Sequence, residues 1–136
     1  MGIDVSGAAV RLAQHHGLPV LRRSVFEQLP GIGRWGTVIL MDGNIGIGGD
    51  PIALLRRCAV LVRPAGGRLI IETSSDPLRD RSFQGLIVDD VGRRSLPFAW
   101  AEVGAIALRR SADAAGLVRQ REWSTPARCF AVYTRP

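Results

Sequence analysis

Lysine is absent from this chain of 136 residues, and all 18 basic residues are arginine. Without lysine there is no Walker A phosphate loop, which needs its ammonium on the phosphates, and no lysine Schiff-base chemistry, which needs its free amine. Cysteine is scarce. Cys58 and Cys129 are too few for a disulfide framework, so a reduced, cytoplasmic setting is expected. No apolar run approaches the roughly 18 residues that a membrane-spanning helix needs. The start, Met1-Gly2-Ile3-Asp4, lacks the charged-then-apolar design of a secretory signal. Aromatic residues make up 6% of the chain, and arginine pairs such as Arg22-Arg23 and Arg93-Arg94 are scattered rather than interleaved with them. The formal net charge of +6 therefore reads as solvated faces, and nucleic-acid binding is the lesser expectation.

What is present is ordinary for a folded domain. Hydrophobic residues are 46% and charged residues 22%, which argues against disorder, collagen and coiled coil. A chain of this length can bury a sizeable core, and a single domain over 1–136 is expected.

Strand-like and helix-like segments alternate. Gly2 to Val5 reads as a strand end, Ser6 as an N-cap, and Ala8 to His16 as a helix closed by Gly17. Pro19 to Arg23 reads as a short strand, and Thr37 to Met41 as a strand buried on both faces. Asp50-Pro51 opens a helix whose apolar stripe is Ile52, Leu55, Ala59 and Val62. Arg68 to Thr73 follows as a strand. Phe83 to Asp89 and Leu96 to Glu102 read as extended segments around Gly92-Arg93-Arg94. Gly104 to Ala115 reads as a helix, and Leu117 to Trp123 and Cys129 to Thr134 as a closing antiparallel hairpin. The fold class that follows is α/β: a mostly parallel sheet flanked by helices, with a C-terminal antiparallel hairpin.

Several motifs bear on function. Asp4 stands at a strand end before a capped helix, where a carboxylate can accept two hydrogen bonds from ribose hydroxyls. Gly31 to Gly36 spells G-x-G-x-x-G, but it precedes a strand instead of following one, so it reads as a loop. The stretch Asp42-Gly43-Asn44-Ile45-Gly46-Ile47-Gly48-Gly49-Asp50 follows the best strand and leads into a marked helix. That is the carboxyl end of the sheet, where open α/β folds bind ligands, and its glycines let backbone come close to one. His15-His16 completes no metal set, and no metal site is expected; Cys58 and Cys129 read as small core residues.

The ordered set of Gly2-Ile3-Asp4-Val5-Ser6, Ser24 to Pro30, Trp35 to Asn44 and Leu61 to Leu69, with its Pro64-Ala65-Gly66-Gly67, resembles the class I, Rossmann-like S-adenosylmethionine-dependent methyltransferases over nearly the whole chain. The resemblance implies S-adenosylmethionine as cofactor. Asp4 would hold the ribose hydroxyls and Val5 would flank the adenine, with Val25 and Phe26 bordering its pocket. Asp42, Gly43 and Asn44 would lie beside the methionine part and the transferred methyl. Segment 81–102 would face the acceptor, with Trp100 and Glu102 as contacts. Glu72 and Glu102 are the candidate general bases.

Two departures from the family follow. Ser24 stands where the family often has an acidic residue toward the adenine amino group. The chain also starts at what would be the family's second strand, so the first strand and its glycine-rich turn are expected to be missing and the domain N-terminally incomplete. The gap would be met by truncation, by direct pairing of the flanking strands, or by a strand from another chain. The leading expectation is methyl transfer to a small molecule. The alternatives are a non-catalytic remnant acting through a partner chain, as a homodimer or with a strand supplied, and an arginine-rich nucleic-acid-binding domain.

Overall fold

The computed structural model describes residues 1–126 and 128–136. They form two compact units, Met1–Gly31 and Ile32–Pro136.

The first unit is a single βαβ crossover. Strand β1 (Gly2–Asp4) is followed by helix α1 (Gly7–His15) and strand β2 (Val20–Arg22). The strands run parallel, with Ile3 opposite Leu21 and Asp4 opposite Arg22. Ser6 caps the helix as expected, its hydroxyl accepting from the Ala9 N–H at 3.3 Å. At the other end Gly17 takes φ +72°, and the Leu18 N–H reaches back to the Ala13 carbonyl at 3.0 Å. That left-handed closure is why a glycine ends this helix. The Gln14 side chain donates to the Val20 carbonyl at 3.1 Å, tying α1 to β2.

The second unit is built on a four-stranded sheet in the order β3-β4-β8-β7. Strand β3 (Thr37–Leu40) leads through a short 3-10 turn (Asn44–Gly46) and helix α2 (Pro51–Leu61) to strand β4 (Arg68–Thr73). These two strands are parallel, with Val38 opposite Leu69 and Leu40 opposite Ile71. After helix α3 (Ala105–Ala114), the closing strands β7 (Val118–Ser124) and β8 (Cys129–Thr134) form the expected antiparallel hairpin, and β8 also pairs antiparallel with β4. Strands β5 (Asp80–Gly85) and β6 (Phe98–Val103) make a separate antiparallel ribbon. The α/β class and the C-terminal hairpin are thus as the sequence indicated. The parallel pairings are β1 with β2 and β3 with β4; β1 has no other ladder partner in its sheet, and β3 ends its own.

Leu69 and Ile71 of β4 and Ala131 and Tyr133 of β8 are buried, as are Ala107, Leu108 and Ala112 of α3. The stripe of α2 differs from the expected one. Leu54, Leu55, Cys58 and Leu61 are buried, while Ile52 and Ala59 are half-buried. The buried stripe thus runs through Leu54, Leu55, Cys58 and Leu61, which places Cys58 on it rather than beside it. The extended segments around Gly92 also shift. Strand β5 starts at Asp80 and ends at Gly85, so Leu86, Ile87 and Val88 lie beyond it in the hairpin tip. Cross-strand pairing of Arg81 with Glu102 fixes that register, which the apolar run alone did not indicate. Gly33 lies in the turn before β3, its N–H donating to the Leu61 carbonyl at 3.0 Å, so the G-x-G-x-x-G stretch is the loop it was read as. No helix among the described residues is long and apolar enough to cross a membrane.

Candidate functional site

In the first unit the candidate residues follow β1 and β2. Asp4 ends β1, and its Oδ1 accepts from the Ser6 N–H at 2.7 Å. This leaves Oδ2 of an exposed carboxylate available to a hydroxyl. Val5 is 66% exposed and Phe26 is also exposed, while Val25 is buried. The Val25 side chain is largely covered, so the exposed apolar surface here comes from Val5 and Phe26. Ser24 is used locally: its hydroxyl accepts from the Phe26 N–H at 3.2 Å, and its own N–H donates to Glu27 at 2.6 Å.

In the second unit the glycine-rich stretch begins where β3 ends. Asp42 takes a left-handed conformation, φ +53°, and Gly43 follows at φ +78°. A non-glycine residue there is uncommon and needs local hydrogen bonding to hold it. The support comes from far along the chain. The Asp42 N–H donates to Glu72 Oε2 at 2.8 Å, and the Arg128 guanidinium donates to Asp42 Oδ1 at 2.5 Å. The same guanidinium grips Glu72 through two bonds of 2.6 Å, one to each carboxylate oxygen. Such bidentate charge-assisted pairs are the strong and geometrically specific kind. Arg128 holds the Glu72 carboxyl below its ordinary pKa, with the Asp42 N–H adding to the effect.

The glycines of this stretch divide into two kinds. Gly43 is open, with nothing near where a side chain would start. Gly46 is not: a Cβ there would collide with the Ala101 carbonyl and come within 2.7 Å of Trp100 Nε1. Ile47 makes a bridge to Trp100, and the Ser82 hydroxyl donates to the Gly49 carbonyl at 2.8 Å. The β5–β6 ribbon is thereby fastened to the loop, and close packing accounts for part of the glycine content that the sequence attributed to ligand approach. Asp42, Gly43 and Asn44 remain exposed.

Glu102 lies on β6 with both oxygens bonded to Arg81, at 2.9 and 2.8 Å. Arg81 is the main reason its pKa is lowered, with Arg79 contributing. A general base gains from a raised pKa near the working pH. Glu72 and Glu102 are shifted the other way, and each has both oxygens occupied by a guanidinium. Both carboxylates are thus engaged in ion pairs with arginine. Trp100 packs edge-on against Phe98, ring centroids 5.9 Å apart. A recess of about 240 Å³ is lined by Thr73, Leu108, Trp123, Cys129 and Phe130. The acid on its wall, Glu122, is paired with Arg109 and Arg119. Arg128 was missed by sequence reading; it lies 86 residues from Asp42, and no local pattern marks it.

No protein-family model matches the chain, and no curated protein matches it by sequence. Solved structures do. A sugar N-methyltransferase from Streptoalloteichus, KedS8, is 18% identical with a TM-score of 0.67, covering 98% of this chain and 70% of that one. A SAM-dependent methyltransferase from Bacteroides fragilis, solved with S-adenosyl-L-homocysteine, is 19% identical with a TM-score of 0.76, covering 98% and 61%. The CcbJ methyltransferase from Streptomyces caelestis is 13% identical with a TM-score of 0.72, covering 98% and 73%. At these identities the likeness is one of fold: the chain has the class I methyltransferase-like fold, and it spans 61% to 73% of the lengths of these three proteins.

Proposed function

We propose that this chain binds S-adenosylmethionine and transfers its methyl group to a small molecule. The observation that supports this most directly is the exposed Asp42-Gly43-Asn44 turn at the carboxyl end of β3, within a fold whose solved neighbours are methyltransferases. The donor set fits the cofactor in kind. Within the first unit, Asp4 offers a free carboxylate oxygen for a ribose hydroxyl, and Val5 and Phe26 offer exposed apolar surface for a base.

The cofactor supplies an electrophilic methyl on a sulfonium. Once bound, it would give up that methyl to the acceptor, with the S–C electron pair going to sulfur and the acceptor's proton to water. The protein's work is then alignment and exclusion of water more than proton transfer. In this reading Glu72 fixes Arg128 and Asp42, and Glu102 fixes Arg81, so both carboxylates position the site. A cytoplasmic setting suits the two free thiols of Cys58 and Cys129. A second reading, binding without catalysis, is favoured by one observation: both candidate bases are committed to ion pairs.

Calorimetric titration of the full chain with S-adenosylhomocysteine tests the proposal. Binding is expected, and Asp4→Ala is expected to weaken it about tenfold or more, the loss of a charged hydrogen bond worth roughly 1.5–3 kcal/mol. A folded chain that takes up no ligand overturns the proposal. Binding without turnover on any of a panel of amine and hydroxyl acceptors selects the second reading.

A further inference from the structure

The tip of the β5–β6 hairpin exposes a set of large apolar side chains. Leu86, Ile87, Val88, Val91 and Leu96 are all exposed, Leu96 at 86%, Val91 at 71% and Ile87 at 64%. They sit together because the ribbon continues past β5 and β6. The Ser95 N–H donates to the Ile87 carbonyl at 2.9 Å, Val88 bridges Arg94, and the Asp89 N–H donates to the Arg93 carbonyl at 3.0 Å. Contiguous exposed apolar patches of this kind mark interaction sites.

The charges of the tip indicate the partner. Residues 86–97 carry Asp89, Asp90, Arg93 and Arg94 and so have no net charge, in a chain whose formal net charge is +6. Asp89 is satisfied within the tip by Arg93 at 2.6 Å. Asp90 and Arg94 have no ion-pair partner among the described residues. A polyanion or an anionic bilayer would be met by a net-positive surface. A neutral apolar patch with one unpaired acid and one unpaired base is complementary to itself, which is what a two-fold contact demands. It is also a place where two cationic copies can approach without repulsion.

We propose that the hairpin tip is the contact between two copies of this chain. In it exposed apolar side chains of the tip, Val91 and Leu96 among them, pack across a two-fold axis, and Asp90 of one protomer pairs with the partner's Arg94. The contact uses none of Asp4, Asp42, Gly43 and Asn44, and its test does not require methyl transfer.

Sedimentation equilibrium of the full chain across the micromolar range tests this. The chain is expected to dimerise. Val91→Glu with Leu96→Glu is expected to raise the dissociation constant at least about a hundredfold, since each protomer loses two buried side chains worth about 1.5–3 kcal/mol apiece. Asp90→Arg alone and Arg94→Asp alone each weaken association, and the two together restore it. All these positions are exposed, so far-UV circular dichroism and the melting temperature should be unchanged. A chain monomeric throughout, or a dimer indifferent to Val91 and Leu96, overturns the proposal. So does a double charge exchange no better than the single ones. A monomer that co-sediments with phosphatidylserine vesicles assigns the patch to a bilayer instead and likewise overturns it.

Discussion

Asp4 and Asp42 both stand where a parallel strand gives way to a turn, yet they are held in different ways. Asp4 is held locally: its carboxylate accepts from an N–H two residues on, and the next residues cap α1. Asp42 is held from a distance, by Glu72 thirty residues away and Arg128 eighty-six residues away. The first arrangement is written into a six-residue stretch and follows from turn and cap chemistry. The second exists only once β3, β4 and β8 have paired, since β4 carries Glu72 and Arg128 immediately precedes β8. A turn of the first kind can form early. One of the second kind reports on the integrity of the sheet.

The largest expected effect breaks the distant hold. Gly46→Ala would push a methyl group toward Trp100 Nε1 and into the Ala101 carbonyl, a backbone atom of a paired strand that cannot turn aside. The loop must lift from β6, at an expected cost of about 3 kcal/mol in denaturant unfolding. Gly43→Ala is the matched control. Nothing lies near its missing side chain, and only the positive φ is at stake, so about 1–2 kcal/mol is expected. Equal effects at the two positions would mean that packing against β6 does not hold the loop.

The same contrast explains what the sequence disclosed. The cap at Ser6, the stop at Gly17, the Asp50-Pro51 helix start and the closing hairpin depend on neighbouring residues, and each was legible. The burial of Leu54 and Cys58 in place of Ile52 and Ala59 was not, because it depends on which side of α2 meets the sheet. The start of β5 at Asp80 was hidden by the apolar run 86–88, whose exposure breaks the rule that such runs are strands in a core. For the site, the place of Asp42, Gly43 and Asn44 at a strand end was readable from pattern. The ion pairing of Glu72 and Glu102 was not, since Arg128 and Arg81 are ordinary arginines until the strands bring them alongside.

Alkaline pH separates the two units next. Cys58 and Tyr133 are both buried in the second unit. Burial raises the thiol from its ordinary 9.0 to about 12 and the phenol from 10.0 to about 12. Both groups stay protonated in the fold while the unfolded chain gives up its protons above pH 9.0 and 10.0. The unfolded state then binds fewer protons, so stability falls as pH rises, by about 1.4 kcal/mol per pH unit for each ionising group. Their contribution is fully present below pH 9.0 and lost toward pH 12. Urea melts followed by tryptophan fluorescence, which reports on Trp35, Trp100 and Trp123 of the second unit alone, should show the decline. Cys58→Ala should remove the part that begins at pH 9.0, though it leaves a small cavity. A flat profile between pH 9 and 12 would contradict the burial of both groups.

The smallest effect on stability is expected at Arg128, and it sharpens the comparison most. The guanidinium is 45% exposed and the Asp42 side chain 83% exposed, so water screens their pairing and little is lost there. Glu72 is different, with a side chain only 12% exposed. Arg128→Ala leaves that carboxylate largely covered and without its main partner, at a cost of roughly 1 kcal/mol after screening. The sharper readout is ionisation. Arg128 is the first cause of the lowered Glu72 pKa, so the variant should titrate at a higher pH by carbon-detected NMR. Lys at the same position supplies charge without the two-pronged grip and should restore the pKa only in part. Asp4 needs no such partner, and the Arg128 variant should leave the β1–α1 turn as it was. If Glu72 titrates unchanged without Arg128, the remaining Asp42 N–H is sufficient, and the distant hold on the turn after β3 rests on Glu72 alone.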